Sequence, residues 1–190
     1  MGAAAQLFAE RGYRAVSTVE LGEAVGMSGP ALYNYFPSKE ALLCELLIDV
    51  STRLLAGCLE IANDELSADE TLDELLAFHA EFATTEPDII LLQDRELSSL
   101  PSDANRKVRR LQREYLREWE KVLAQLHPEF SPAEAQTRLL ATVGLLNSTP
   151  HSARGRGTHA SGAQAAHILA AMARAALTAP TPVLPAASAY

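Results

Sequence analysis

Apolar residues recur along this chain at spacings of three and four, and no stretch alternates apolar with polar over the length of a strand. The helix starts are plainly marked. Ser17-Thr18-Val19-Glu20, Ser67-Ala68-Asp69-Glu70 and Ser131-Pro132-Ala133-Glu134 share one pattern, in which a serine oxygen accepts an orphan N–H of the first turn and the glutamate reaches back to the serine N–H. Pro132 stands where the N–H of a helix would be unpaired anyway. Gly12, Pro87, Pro101, Pro128 and Pro150 supply the stops. These signals predict helices over residues 3–11, 18–25, 28–35, 39–63, 69–84, 87–94, 103–126, 132–148 and 161–177. The expected fold class is all-α, with three short helices over 3–35 followed by six mostly longer ones over 39–177. Residues 179–190 hold three prolines and no periodicity, so a disordered tail is expected there.

The short helices carry an unusual surface. Leu32 and Phe36, four apart, share a face and point to the core. Gly29, Pro30, Tyr33 and Asn34 then face solvent, behind Ser28 as the N-cap. The tyrosine hydroxyls of Tyr33 and Tyr35 suit phosphate oxygens, and the Asn34 amide suits a base edge. Lys39 opens the next helix, where its charge and the free N–H groups both favour a phosphate. Two short helices joined by a tight link at Gly26-Met27, the second with a polar outer face, describe a helix-turn-helix.

The stretches "AQLFAERGY" and "GMSGPALYNYFPSKEALL" closely resemble the DNA-binding domain of TetR-family transcriptional regulators. The matching residues are Phe8, Gly12, Tyr13, Gly26, Ser28, Leu32, Tyr33, Tyr35, Phe36, Lys39, Glu40 and Leu42. The resemblance covers residues 3–46 closely; beyond them it is one of architecture. It implies a DNA-binding domain over 1–46, with Ser17, Thr18, Ser28, Gly29, Pro30, Ala31, Tyr33, Asn34, Tyr35 and Lys39 as the DNA-contacting set, and a ligand-binding and dimerisation domain over 47–178. It further implies a homodimeric repressor that leaves its double-stranded DNA operator when a ligand binds. The aromatic stripe through Phe78, Phe82, Tyr115 and Trp119 suits a small hydrophobic effector. With neither an export signal nor a membrane-length apolar run, the chain is expected to be cytoplasmic. No cofactor, metal or catalysis is expected. Family members carry ten or more residues ahead of the point where this chain begins, so the first helix is expected to be cut short.

Charge qualifies this picture. The formal net charge is -8, which argues against broad coating of nucleic acid but not against a local reading face. Residues 1–46 hold three basic side chains against five acidic ones, which keeps open a second reading, a helical ligand-binding dimer that has lost DNA binding. No apolar run approaches the roughly 18 residues of a membrane span, and "MGAAAQLFAERG" lacks the basic start of an export signal. Cys44 and Cys58 do not make a disulfide scaffold. An all-helical enzyme would need a nucleophile–base pair or a metal cluster, and no motif supplies one.

In the larger domain, helical stripes run through Leu72, Leu75, Leu76, His79 and Phe82, with Phe78 beside them, and through Val108, Leu111, Tyr115, Trp119 and Val122. They read first as core. With the ligand cavity that the resemblance implies, Phe78, His79, Phe82, Gln112, Tyr115, Trp119 and Asn147 become the candidate lining, its polar members orienting a ligand. The basic run "RKVRRLQREYLR" reads as a solvated face laced with Glu114, Glu118 and Glu120. The alternative is a rim for an anionic ligand such as an acyl-CoA. Ala165, Ile168, Leu169, Met172 and Ala176 are the expected dimer seam, small and apolar at helical spacing. His151, His159 and His167 recur every eight residues, but without nearby carboxylates or cysteines they make a poor metal site.

Overall fold

The computed structural model describes residues 2–149 and 162–181, which form nine α-helices and one 3-10 turn, with no strand among the described residues. The helices are α1 (Gly2–Arg11), α2 (Thr18–Ala24), α3 (Gly29–Tyr35), α4 (Lys39–Asn63), α5 (Ala68–Thr85), α6 (Pro87–Glu96), α7 (Ser102–Leu126), α8 (Pro132–Leu146) and α9 (Gly162–Leu177), with the 3-10 turn Leu97–Ser99 before α7. The segment 150–161, with His151 and His159, and the tail 182–190 lie outside the described residues.

The serines cap as their spacing predicts. At Ser17 and Ser67 both halves of the capping box form, the glutamate accepting the serine N–H at 2.8 and 2.9 Å. At Ser131 only one half forms. Its hydroxyl accepts the Glu134 N–H at 3.3 Å, while the Glu134 carboxylate turns away to accept from Arg138 at 2.8 Å and Thr181 at 2.5 Å. A guanidinium one turn further on outcompetes a single backbone N–H.

Two cores are stacked along α4. In the first, Phe8, Leu21 and Leu32 of the three short helices meet Leu42 to Val50 of α4 and Ile89, Ile90 and Leu92 of α6. In the second, Cys58 of α4 meets Leu72, Leu75 and Leu76 of α5, Tyr115 and Trp119 of α7, and Leu139 and Leu146 of α8. Leu54 packs against both cores. The first core therefore runs past residue 46 into α6 and the start of α7, where Val108 is fully buried.

Candidate functional site

The reading face depends on how closely α2 and α3 approach. A Cβ on Gly22 would stand 2.7 Å from the Met27 carbonyl oxygen and 2.9 Å from the Gly29 nitrogen, both backbone atoms that cannot step aside. Gly26 ends α2 at φ 73°, the left-handed region that favours glycine. With that turn made, Gly29 lies against Thr18 and Val19, so the starts of α2 and α3 are neighbours. Ser17, Ser28, Pro30 and Asn34 are exposed and Thr18, Gly29 and Ala31 half-buried. Tyr33 and Tyr35 are 46% and 69% exposed. Val19 and Met27 of α2 and the turn are exposed too, an apolar contribution that the sequence pattern did not single out.

Charge on this face is sparse. Glu20 is held down to about 2, first by the Ser17 backbone N–H and hydroxyl, with Arg11 assisting, so it stays ionised and occupies one of the few cations. Lys39 is placed differently from its expected role. Its Nζ donates to the carbonyl oxygens of Tyr13 (2.8 Å), Val16 (2.8 Å) and Arg14 (3.3 Å), and lies 4.7 Å from the centre of the Tyr13 ring. An ammonium has three N–H donors, and all three serve the turn between α1 and α2. The Lys39 side chain therefore fastens the α1–α2 turn here rather than standing free.

A cavity of about 140 Å³ opens where α4, α5, α6, α7 and α8 meet, lined by residues that include Ser51, Leu54, His79, Phe82, Gln93, Gln112, Tyr115, Leu116, Val143 and Asn147. Five residues of the expected lining are there. Trp119 is not. It is buried behind the wall, its ring 6.2 Å from His79 and 6.0 Å from Tyr115. Phe78 is displaced too. Its ring lies against Gly57 of α4, where a Cβ would come within 2.5 Å of it, and it lines a separate outer hollow with Arg53 and Glu86. Inside the cavity His79 bridges Tyr115 and Asn147, at 2.8 Å from Nδ1 to the phenol oxygen and 2.9 Å from Nε2 to the amide oxygen. Burial pushes the His79 pKa down and the Tyr115 pKa well up, so both are neutral at neutral pH.

Two members of the lining left a trace in the sequence. Ser51 and Gln93 interrupt or end apolar runs, at Val50-Ser51 and Ile89-Ile90-Leu91-Leu92-Gln93, a polar group where the helix is otherwise buried. Leu54, Leu116 and Val143 left none, because an apolar wall and an apolar core look alike along a helix.

On α7, Asp103, Arg106, Lys107, Arg109, Arg110 and Arg113 line a surface hollow of about 520 Å³. Arg106 pairs with Asp103, Arg110 lies 3.8 Å from Glu114, and Arg109 donates to Asn105. On α9, Ile168, Met172 and Ala176 face solvent, whereas Leu169 packs into the second core and Ala165 is half-buried. His167 is exposed, and no metal-binding cluster occurs among the described residues. None of their helices is long and apolar enough to cross a membrane.

A helix-turn-helix set on an all-helical bundle with an internal cavity defines the class of one-chain DNA-binding regulators with a sensing domain. Residues 1–46 match the family of bacterial regulatory proteins, tetR family, and residues 65–177 match the tetracyclin repressor-like C-terminal domain. The chain belongs to the TetR family. It is 31% identical over 116 residues to the HTH-type transcriptional repressor KstR2 of Rhodococcus jostii (strain RHA1); the match covers 57% of this chain and 57% of that one. The chain thus spans little more than half the length of this curated relative. Among solved structures, the TetR family transcriptional regulator PfmR from Thermus thermophilus superposes with a TM-score of 0.76 at 24% identity, over 93% of this chain and 95% of that one. AibR, in complex with isovaleryl coenzyme A and operator DNA, superposes with a TM-score of 0.73 at 18% identity, over 90% and 94%. At these identities the structural likeness is one of fold.

Proposed function

We propose that the chain is a homodimeric, ligand-responsive repressor: α3 reads a double-stranded operator, and a small, mostly apolar effector in the cavity releases it. One observation carries this reading. The cavity is built partly from the two helices that also hold the reading head. Ser51 and Leu54 of α4 and Gln93 of α6 line it, while Leu42 to Val50 of α4 and Ile89 to Leu92 of α6 share the first core with α1 to α3. Arg95 of α6 also donates to the Ala9 carbonyl of α1 at 3.4 Å. A ligand that binds better to one placement of α4 and α6 favours one placement of the reading head, and DNA affinity falls if that is not the operator-bound one.

The AibR complex, which holds both an acyl-CoA and operator DNA, supports a coenzyme A thioester as one candidate effector. The basic hollow on α7 offers the charge that an anionic head group would need. The scarcity of free cations on the reading head supports the second reading, a sensing dimer without DNA affinity. A mobility-shift titration against the DNA flanking the gene separates the two. A repressor should give a shift that isovaleryl-CoA or a related short acyl-CoA reverses. No shift at low salt would favour the second reading, and a shift indifferent to every effector tried would remove the sensing role.

A further inference from the structure

The cavity has polar groups in its lining yet carries no ionised side chain. Its hydrogen-bonding groups are Ser51, His79, Gln93, Gln112, Tyr115 and Asn147. His79, only 3% exposed, is neutral, and a neutral imidazole has one N–H and one bare nitrogen. Two arrangements satisfy that ring. In one, Nε2–H donates to the Asn147 oxygen and the Tyr115 hydroxyl donates to Nδ1. In the other the amide is turned, its NH₂ donates to Nε2, and Nδ1–H donates to the phenol oxygen. The first leaves both Asn147 N–H groups and a lone pair of its oxygen unspent. The second leaves the Tyr115 O–H, one Asn147 N–H and the Asn147 oxygen. Either way the three side chains keep at least one donor and one acceptor in hand. Ser51 donates to the Leu47 carbonyl at 2.7 Å, which leaves its oxygen as a further acceptor.

A carboxylate or an ammonium brought here would lose its hydration and meet no opposite charge. The arginines of α7 do not line the cavity and are exposed. The space is also small: about 140 Å³, against roughly 300–1,000 Å³ for sites that hold drug-sized molecules. The geometry points to a compact, neutral, hydrogen-bonding group as the buried part of the effector: a ketone, ester or thioester carbonyl, an amide or an alcohol on a short apolar frame, with free carboxylates and amines excluded. This rests on the cavity being the effector site and narrows its chemical class.

Matched probes test it. Cyclopentanone, cyclopentanol, cyclopentanecarboxylate and cyclopentylamine differ mainly in charge and hydrogen-bonding group. Their binding to the full chain is followed near neutral pH by ligand-observed NMR and by the shift in melting temperature. The ketone and alcohol are expected to bind, and the two ions at least about tenfold more weakly. Leu116→Lys, which sets an ammonium in the cavity wall, is expected to reverse the order in favour of the carboxylate. Equal or tighter binding of either ion to the unaltered chain overturns the inference, as does the absence of binding by all four. Neutral probes that bind without weakening operator DNA would leave this inference standing and remove the effector role from the cavity instead.

Discussion

Lys39 and His79 are both polar groups inside packed surroundings, and the chemistry of each leads to a separate test. The Lys39 ammonium joins three carbonyls of the α1–α2 turn, and hydrogen bonds from a charged donor contribute about 1.5–3 kcal/mol each in favourable settings. The bonds are shared and partly exposed, so Lys39→Ala is expected to lower stability by about 1–3 kcal/mol in urea unfolding. Because the ammonium is turned inward, the salt dependence of DNA binding should keep its slope. A slope reduced by about one would return Lys39 to a phosphate. For His79 burial lowers the folded pKa below the 6.5 of the free ring. The unfolded chain therefore binds a proton that the folded ring refuses, and stability falls as pH drops from about 6.5 towards the folded pKa. His79→Gln should lessen that acid sensitivity, read as melting temperature against pH. An unchanged profile would mean that the ring charges without cost. At this scale the sequence showed which residues share a face. It could not show that Lys39 turns inward, since reach across 23 to 26 residues depends on how three helices pack.

Among the elements, the boundaries were legible because serine caps, glycine and proline act locally. The close approaches were not. Gly22 and Gly57 sit inside helices, where glycine carries no turn signal, yet one admits the Met27 carbonyl and the other the Phe78 ring. Gly22→Ala is expected to be the more damaging, because backbone on both sides blocks the new methyl. It should disorder the α2–α3 turn, abolish sequence-specific DNA binding and cost about 2–3 kcal/mol, at the upper end for overpacking. The second core should keep its melting transition. Calorimetry with a DNA-binding assay checks both parts, and full DNA affinity in this variant would show that the helices can separate freely. The Phe78 ring, expected in the cavity, went to Gly57 for the same reason: the hole that accepts it is made by a missing side chain on another helix.

For the whole molecule, the outer side of α8 and α9 leaves Leu140, Ile168 and Met172 at 53%, 44% and 52% exposure. Arg174 fixes the opposite side of α9 to Asp69 and Asp73 of α5, at 2.6 and 2.5 Å. That clamp sets which residues face out. If the outer side is the dimer seam, Met172→Glu should yield monomers by sedimentation, since an unpaired buried carboxylate costs several kcal/mol. Leu169→Glu should unfold the second core instead. A dimer that survives Met172→Glu would place the seam elsewhere.

The central claim is that the α3 face of such a dimer reads a two-fold DNA sequence. Selection from random duplex DNA by the full chain, at low salt, tests it most directly. The predicted result is an enriched palindrome with half-sites separated by whole turns of about 10 base pairs, and loss of that enrichment in Tyr33→Ala. Enrichment of no sequence, or of the same sequence undiminished by Tyr33→Ala, would contradict it.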